Sequence, residues 1–230
     1  TKSFIDKWTK TKSTIIYPYL NDDYINFDFD NILKEKIILS VGRFFPHLHS
    51  KRHDIAIKNF KKLRASNESF KDFKLVLIGG LLQEDESYFR TLQSLASHDS
   101  HIIFITNAKY SEVYSFFQKA KYYWLCAGFG VDDTKEPTFV EHLGITPLEA
   151  MAMGCITFAY NAGGPKELIQ NEKTGYLFKS EQQLLRQMHE IETNTTKQKS
   201  IQTQAKIYIQ QNFTYPVFKD KVIKVFNLSQ

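Results

Sequence analysis

The sequence predicts a doubly wound α/β domain, in which helices cover both faces of a parallel sheet. Three observations predict this fold. Short apolar runs alternate along the chain with amphipathic stretches at helical spacing, as in strand–helix units that feed a parallel sheet. The runs are apolar on both faces, so the sheet needs helices on both sides. The chain has 230 residues, 42% of them hydrophobic, which suffices for one domain with an extension at roughly 150 residues per domain.

Five apolar runs are predicted to be the strands of this sheet. They cover residues 37–41, 75–78, 102–105, 122–126 and 156–160. The first run is followed by Gly42 and the second by Gly79, and glycine permits the tight turn that leaves a strand. Between these two runs, residues 53–66 place apolar side chains on one side and lysines on the other, which is typical of a surface helix.

Two regions depart from this alternation. Residues 1–36 contain no long periodic stretch, so they are predicted to be an irregular lead-in or interdomain linker. Residues 127–145 separate a strand from the next helix by more than such connections usually need, which indicates a candidate functional loop. We therefore expect one domain over residues 37–212 and a C-terminal helix within residues 213–230.

The composition excludes several classes of protein. Lys and Arg number 30 against 25 Asp and Glu, a net charge of +5, and the 14% of aromatic residues argues against a disordered chain. Two cysteines are too few for a disulfide framework or a zinc cluster, which favours a reducing compartment. No apolar run approaches the roughly 18 residues of a membrane span. We expect the protein in the cytoplasm or at the cytoplasmic face of a membrane.

The first candidate site segment follows the first predicted strand. In doubly wound sheets, ligands bind beyond the carboxyl ends of the strands, so the residues after each strand are the ones to inspect. Gly42 permits close approach of the backbone to a ligand. Arg43 and Lys51 provide a planar guanidinium and a mobile ammonium, which suit a diphosphate. The alternative is that both cations are solvated surface residues.

The second segment covers residues 141–154. Thr146 is predicted to cap a helix, and Glu149 completes a Thr-x-x-Glu capping box. Gly144 and the free N–H groups of the first turn would form an anion-binding helix end, beside which Glu149 would reach a ribose hydroxyl. The alternative is that Glu149 only caps the helix and that Glu141 is only solvated.

The third segment follows the fifth predicted strand. Gly163 and Gly164 form a glycine turn, and Pro165 opens a helix with Glu167 in its first turn. A second helix amino end beside the first would add to an anion-binding crevice. The alternative is a tight turn and a helix cap that bind no ligand.

Together, the three segments resemble the C-terminal, donor-binding domain of the family 4 retaining glycosyltransferases, which have the GT-B fold. The resemblance covers residues 37–178. It rests on a glutamate pair with seven intervening residues, a Gly-Ile between them, a Gly-Arg followed by a lysine, and a Gly-Gly before a helix. These residues are Glu141 and Glu149, Gly144 and Ile145, Gly42 and Arg43 with Lys51, and Gly163 and Gly164.

The resemblance implies transfer of a hexose from a UDP- or GDP-sugar with retention at the anomeric carbon. Arg43 and Lys51 would neutralise the leaving diphosphate, Glu141 would hold hydroxyls of the donor sugar, and Glu149 would hold the ribose. His142, beside the sugar-side glutamate, would polarise or orient a hydroxyl, and the alternative is a loop histidine that takes no part. The other implied substrate-binding positions are Gly42, Gly144, Ile145, Thr146, Gly163 and Gly164. No metal or other cofactor is required in this scheme.

The resemblance also implies a second domain. In this fold an N-terminal domain binds the acceptor and completes the cleft, and residues 1–36 are too few to be that domain. We therefore expect a donor-binding half, whose C-terminal helix packs toward the missing N-terminal domain. The implied acceptor is a glycan or a membrane-associated molecule.

Two other functions stay open. A sugar-nucleotide-binding subunit without transferase activity would carry the same donor-site residues. A nucleic-acid-binding domain would use the cations of residues 53–66, but these surround an ordinary amphipathic face, so a solvated helix is the simpler interpretation. The sequence has neither a Walker loop nor a complete Gly-x-Gly-x-x-Gly, which argues against an ATPase and a dehydrogenase.

Overall fold

The computed structural model describes residues 2–227, in which six parallel strands form one sheet. The strands are β1 (Glu35–Val41), β2 (Lys74–Gly79), β3 (Ile102–Thr106), β4 (Ala120–Leu125), β5 (Ile156–Tyr160) and β6 (Tyr176–Phe178). Their order across the sheet is β3-β2-β1-β4-β5-β6, and each neighbouring pair is parallel. This is the order of a doubly wound sheet, so the predicted fold class is confirmed.

Helices cover both faces of the sheet. They are α1 (Lys2–Thr9), α2 (Asp22–Ile25), α3 (His53–Ser66), α4 (Glu86–Ala96), α5 (Tyr110–Lys119), α6 (Ile145–Ala152), α7 (Pro165–Leu168), α8 (Glu181–Glu192), α9 (Thr195–Asn212) and α10 (Tyr215–Phe226). Helices α3, α4 and α8 pack on one face, and α2, α5, α6 and α7 pack on the other, while α9 contributes buried residues to both core clusters. Along β4, Tyr122 and Trp124 face α3, α4 and α8, whereas Tyr123 and Leu125 face the opposite side of the sheet. Successive side chains of a strand point to opposite faces, as observed here.

The sixth strand was not predicted from the sequence. β6 has three residues and pairs with β5, with Tyr176 opposite Phe158 and Phe178 opposite Tyr160. Three residues are too few for hydrophobic periodicity to distinguish a strand from a loop. The other five strands match the predicted runs to within two residues at either end.

The residues before β1 pack on the domain. The sequence indicates no regular element there, whereas the structure has the short helices α1 and α2. Leu20, Tyr24, Ile25 and Phe29 are buried, and the N–H of Leu20 donates to the carbonyl oxygen of Phe213 at 2.9 Å. Both helices are short, which explains why periodicity does not reveal them. The predicted domain boundary at residue 36 stays a prediction.

Lys34 binds the carboxyl ends of two helices. Its Nζ donates to the carbonyl oxygens of Phe117 (3.2 Å), Gln118 (2.8 Å) and Met153 (2.6 Å). Phe117 and Gln118 lie in the last turn of α5, and Met153 directly follows α6. Burial lowers the pKa of the Lys34 ammonium. The three carbonyl oxygens replace the water that the ammonium loses on burial.

The C-terminal helix α10 contains no fully buried residue. Tyr215 and Phe226 are exposed, and Tyr19 packs against Tyr215 and Phe218 with ring centroids 5.1 and 5.3 Å apart. Packing of this helix toward another domain stays a prediction, and residues 228–230 lie outside the described part. Within residues 2–227, every helix falls short of the length and hydrophobicity that a membrane span requires.

Candidate functional site

The carboxyl ends of β1 and β4 lie where the strand order reverses. β1 has β2 on one side and β4 on the other, so the connections that leave these two central strands diverge and open a crevice above the sheet. The turn after β1 contains Gly42 and Arg43, and the loop after β4 leads to Glu141 and α6. The first two candidate segments therefore meet at the place where doubly wound folds bind ligands.

Gly42 allows a lysine to lie against the end of β1. Its φ is +153°, and a Cβ at this position would lie 2.4 Å from Cγ of Lys51. Gly79 packs as closely from the neighbouring strand, since its Cβ would lie 2.0 Å from the carbonyl oxygen of Gly42. Gly42 thus lets the stem of Lys51 lie over the strand end, and Gly79 lets the turn after β1 lie against β2.

Lys51 and Glu141 form an ion pair within the crevice. The Nζ of Lys51 donates to Oε2 of Glu141, and the two side chains are only 15% and 12% exposed. Each charge compensates the other in a site that water reaches poorly. The two residues that the resemblance assigns to the diphosphate and to the sugar are therefore neighbours.

Arg43 lies outside this ion pair. Its Nη2 donates to Glu84 at 3.2 Å and to Asp85 at 3.1 Å, and its guanidinium carbon lies 5.0 Å from the ring centre of Phe45. Glu84 and Asp85 form a 3₁₀ turn after β2 and were not singled out from the sequence. The Arg43 side chain is 45% exposed, so it is held beside the crevice and stays open to solvent.

Helix α6 begins two residues earlier than the sequence predicts. Gly144 is its N-cap, with a left-handed φ of +89°, and no side chain caps the helix. The predicted Thr146 cap and the Thr-x-x-Glu capping box are therefore wrong. Glycine adopts this left-handed turn at little cost, so the chain enters the helix before Thr146. Within residues 2–227, the N–H groups of Ile145 and Thr146 have no hydrogen-bond acceptor.

Tyr123 of β4 joins the parts of the site. Its hydroxyl donates to Oγ1 of Thr146 at 2.7 Å and lies 3.4 Å from the carbonyl oxygen of Val41 at the end of β1. Burial raises the pKa of this phenol, the hydrogen bond to Thr146 opposes the rise, and the nearby carboxylates of Glu141 and Glu149 add to it. Both glutamates therefore lie close to one hydroxyl at the switch in strand order.

Glu149 is a half-buried carboxyl group without a partner. No hydrogen bond or ion pair involves its side chain among the residues that the structure describes. Burial alone raises the pKa of Glu149 to about 7. The neighbouring Tyr24 is affected in turn, since burial and then the Glu149 charge raise the pKa of its phenol. A buried acceptor that is not satisfied within the protein is suited to a hydroxyl donor from a ligand.

The second glycine turn packs against the Glu141 loop. The N–H of Gly163 donates to Oδ2 of Asp133 at 2.9 Å, and the N–H of Gly164 donates to the carbonyl oxygen of Glu141 at 2.8 Å. A Cβ on Gly163 would lie 2.2 Å from that same oxygen, and one on Gly164 would lie 2.5 Å from the carbonyl oxygen of His142. This turn is brought to the site, but both of its amide donors are already used.

His142 and Asp133 border a cavity of about 460 Å³ between the loop and α7. His142 is exposed, with Nε2 3.2 Å from the carbonyl oxygen of Pro137. Burial opposes ionisation of Asp133, but the hydrogen bonds from Lys166 and from the N–H of Gly163 outweigh it, so the pKa of Asp133 is lowered. The loop is thereby fastened beside Glu141. Within residues 2–227, no three His, Cys, Asp or Glu side chains are grouped to hold a metal ion.

Two relatives are mannosyltransferases by name. The chain is 26% identical over 233 residues to the alpha-1,3/1,6-mannosyltransferase ALG2 of Rhizomucor pusillus, a match that covers 90% of the chain and 50% of the relative. It is 31% identical over 185 residues to the GDP-Man:Man(3)GlcNAc(2)-PP-Dol alpha-1,2-mannosyltransferase of Xenopus tropicalis, which covers 75% of the chain and 35% of the relative. The chain therefore spans half of one relative and about a third of the other.

Solved structures share the fold. A glycosyltransferase from Rickettsia africae superposes with a TM-score of 0.76 at 18% identity, over 98% of this chain and 60% of that one. The C-terminal domain of a glycosyl transferase group 1 family protein from Francisella tularensis superposes with a TM-score of 0.62 at 22% identity, over 87% of this chain and 97% of that domain. At these identities the likeness shows the fold alone.

The family is shown by a match of sequence. The model of the family described as glycosyl transferases group 1 matches residues 23–208, which include every candidate site residue and all six strands. The resemblance drawn from the glutamate pair and the glycine turns is thereby confirmed. The chain belongs to the glycosyl transferases group 1 family.

Proposed function

We propose that this chain binds a nucleotide sugar and is the donor side of a retaining hexosyltransferase whose donor is GDP-mannose. Family membership supports a nucleotide-sugar donor. The choice of GDP-mannose rests on the relatives, one named an alpha-1,3/1,6-mannosyltransferase and another named as using GDP-Man. An α-linked product from an α-linked donor corresponds to retention at the anomeric carbon.

The observation that carries the proposal is the free carboxyl group of Glu149 beside the Lys51–Glu141 ion pair. A ribose offers adjacent hydroxyl donors, and Glu149 offers a half-buried acceptor without a protein partner. The N–H groups of Ile145 and Thr146 at the start of α6 suit an anion. Acceptors for hydroxyls and donors for phosphate around one crevice support a nucleotide sugar as the ligand.

In the proposed reaction the bond between C1 of mannose and the phosphate oxygen breaks. Its electron pair goes to the diphosphate, and the positive charges of Lys51 and Arg43 stabilise the negative charge that develops there. The acceptor hydroxyl forms the new bond to C1 from the same face and loses its proton to the departing phosphate. Glu141 holds sugar hydroxyls and His142 orients one of them. The protein cations balance the diphosphate, so we propose that no metal ion or other cofactor is required.

The acceptor side is proposed to lie in another part of the protein. The relatives are at least twice as long as the segment that they share with this chain. We propose that an N-terminal domain binds a glycan acceptor, that α10 packs toward this domain, and that the protein works in the cytoplasm at a membrane face. Gly42, Gly144, Gly163 and Gly164 shape the donor pocket by close packing.

Nucleotide binding tests the proposal. We expect GDP or GDP-mannose at a hundredfold excess over Kd to stabilise the chain by about 2.7 kcal/mol. For a chain of this size, that energy raises Tm on the order of 5–10 °C. UDP and UDP-glucose should raise it less. Glu149→Ala should abolish the shift, whereas Glu68→Ala, an exposed glutamate before β2, should preserve it.

The other outcomes of the nucleotide-binding experiment would contradict different parts of the proposal. Equal shifts with UDP would overturn the choice of donor, and no shift with any nucleotide would overturn the donor site. A full-length protein that binds GDP-mannose but transfers no mannose to a glycan acceptor would instead be a non-catalytic sugar-nucleotide-binding subunit. The anomeric configuration of a product, read by NMR, decides between retention and inversion.

A further inference from the structure

A buried histidine contacts the turn that follows β1. His53 is the first residue of α3, is 1% exposed, and has Nε2 3.0 Å from the carbonyl oxygen of Gly42. Its ring centre lies 4.9 Å from that of the buried Phe44. One side chain therefore connects the helix that follows Lys51 to both sides of Arg43.

The hydrogen bond fixes the tautomer of His53. A carbonyl oxygen only accepts, so Nε2 carries the proton. Nδ1 is buried and has no hydrogen-bond partner among the described residues, so an N–H at that position would be unsatisfied. Burial lowers the pKa of His53 to about 4, and the nearby Lys51 contributes to this direction, against the bond to Gly42. The imidazole is neutral at physiological pH and acts as a single donor.

This bond sets the orientation of the peptide between Gly42 and Arg43. In a trans peptide the carbonyl and the following N–H point in opposite directions, and residues 2–227 contain no cis peptide bond. Because the Gly42 carbonyl is directed at His53, the N–H of Arg43 is directed away from the ring. That N–H has no acceptor within the described residues.

We propose that His53 is a positioning residue for the diphosphate of the donor: by holding the Gly42 carbonyl, it presents the backbone N–H of Arg43 to the diphosphate beside Lys51. The inference rests on the proposed nucleotide site. The inference adds the N–H of Arg43 to the two cationic side chains as a third donor to the diphosphate. It also explains why the neutral imidazole of His53 is buried beside Gly42. His53 touches no substrate and acts through the Gly42–Arg43 peptide.

A comparison of GDP with GMP distinguishes a positioning role of His53 from a purely structural one. We expect His53→Leu, which removes the donor but fills the space, to weaken GDP binding about tenfold, as befits one hydrogen bond to a charged group. The binding of GMP, which lacks the second phosphate, should change by less than about threefold. His53→Gln should restore GDP binding to within about threefold of wild type, because its amide can donate to the Gly42 carbonyl. UDP and UMP serve as the pair if the chain prefers uridine.

A matched control removes a similar bond elsewhere. Gln187 is buried on α8 and donates to the carbonyl oxygen of Leu177 in β6 at 3.1 Å. Gln187→Leu should lower Tm but leave the ratio of GDP to GMP affinity unchanged. An equal loss of both affinities in His53→Leu, or no rescue by His53→Gln, would overturn the proposal.

A measurement on the wild-type chain does not depend on how the variants fold. In a ¹H–¹⁵N spectrum we expect GDP to shift the amide resonance of Arg43, GMP to shift it much less, and the His53 ring to show a proton on Nε2. An unchanged Arg43 amide on GDP binding would overturn the inference. If the wild-type chain binds GDP and Glu149→Ala does not, the nucleotide site stands even where this inference fails.

Discussion

The two glycine turns of this domain look alike in sequence but differ in what they leave free. Each follows a strand of the sheet, the first at residues 42–43 and the second at residues 163–164. At the first turn the N–H of Arg43 has no acceptor within residues 2–227, and Glu149 across the crevice has no partner there either. At the second turn both glycine N–H groups are bound by the loop that carries Glu141.

This difference separates close packing from ligand binding. A glycine pattern indicates only that some part of the molecule comes near the backbone. At the first turn this is the stem of Lys51, whose charged end remains in the crevice, and at the second it is the backbone of Glu141 and His142. Polar groups without protein partners, and not the glycines themselves, distinguish the turn that we assign to the diphosphate from the turn that holds a loop.

Breaking the Lys51–Glu141 ion pair should have the largest effect. Lys51→Met keeps the stem that packs on Gly42 but leaves the Glu141 carboxylate, which is 12% exposed, without its cation. We expect a loss of about 3 kcal/mol in the free energy of unfolding, measured in urea. Adding Glu141→Gln should restore part of it. Lys62→Met, which breaks an ion pair whose lysine is 59% exposed, is the control and should cost less than about 1 kcal/mol.

Crowding the second glycine turn should cost somewhat less. Gly164→Ala places a Cβ 2.5 Å from the carbonyl oxygens of both His142 and Leu143, which are backbone atoms and must move. We expect a loss of about 2 kcal/mol in the free energy of unfolding. Gly80→Ala meets only Asn107 Oδ1 at 4.0 Å and should change stability little. Equal stabilities of the two variants would show that the second turn is not packed as described.

The free carboxyl group of Glu149 should make stability depend on pH. Its pKa in the folded chain, about 7, lies above the ordinary 4.5, so the neutral form is favoured by folding. That contribution is complete below pH 4.5 and is lost as the pH rises through 7. We expect Glu149→Gln to match wild type at pH 5 and to be more stable by about 1 kcal/mol at pH 8, a value reduced by partial exposure. Thermal unfolding of both proteins across this range measures the difference, and equal stabilities at pH 8 would contradict the prediction.

Removing the charge of Asp133 beside the second turn should have the smallest effect. Asp133→Asn removes the charge that binds Lys166 and keeps an oxygen for the N–H of Gly163. Because the pKa of Asp133 is lowered in the folded chain, its stabilisation is present above the ordinary 3.8 and is lost as the pH falls through the lowered value. We expect a loss below about 1 kcal/mol at pH 7. Asp132→Asn is the neighbouring control, and a larger loss there would contradict the assignment.

Most of the fold follows from patterns along the chain. Five strands are long enough for an apolar run to identify them, and their spacing leaves room for the crossover helices. β6 escapes prediction because its three residues become a strand only through pairing with β5. The buried residues before β1, such as Phe29 against Gly154, are equally dependent on distant partners.

The contacts within the candidate site are likewise only partly predictable from local sequence patterns. The glutamate pair and the glycines predict which segments meet, because strand ends converge in this fold. Glu84, which pairs with Arg43, lies on a different segment of the chain. Tyr123, whose hydroxyl donates to Oγ1 of Thr146, is also distant in sequence from its partner. No local sequence signal therefore reveals these contacts. His53 was overlooked as an ordinary first residue of a surface helix. A histidine on the same face of this helix as Ala56 and Phe60 was the signal that could have found it.

Lys34 connects the residues before the sheet to the carboxyl end of α6. α6 has eight residues and is therefore about 12 Å long. Its carboxyl end is neutralised by the ammonium of Lys34 through Met153, while its amino end at Gly144 opens into the crevice. The negative pole of the helix thus has a counterion, whereas at its positive pole the N–H groups of Ile145 and Thr146 have no acceptor within residues 2–227. Loss of Lys34 would therefore leave three carbonyl groups at two helix ends without their shared donor.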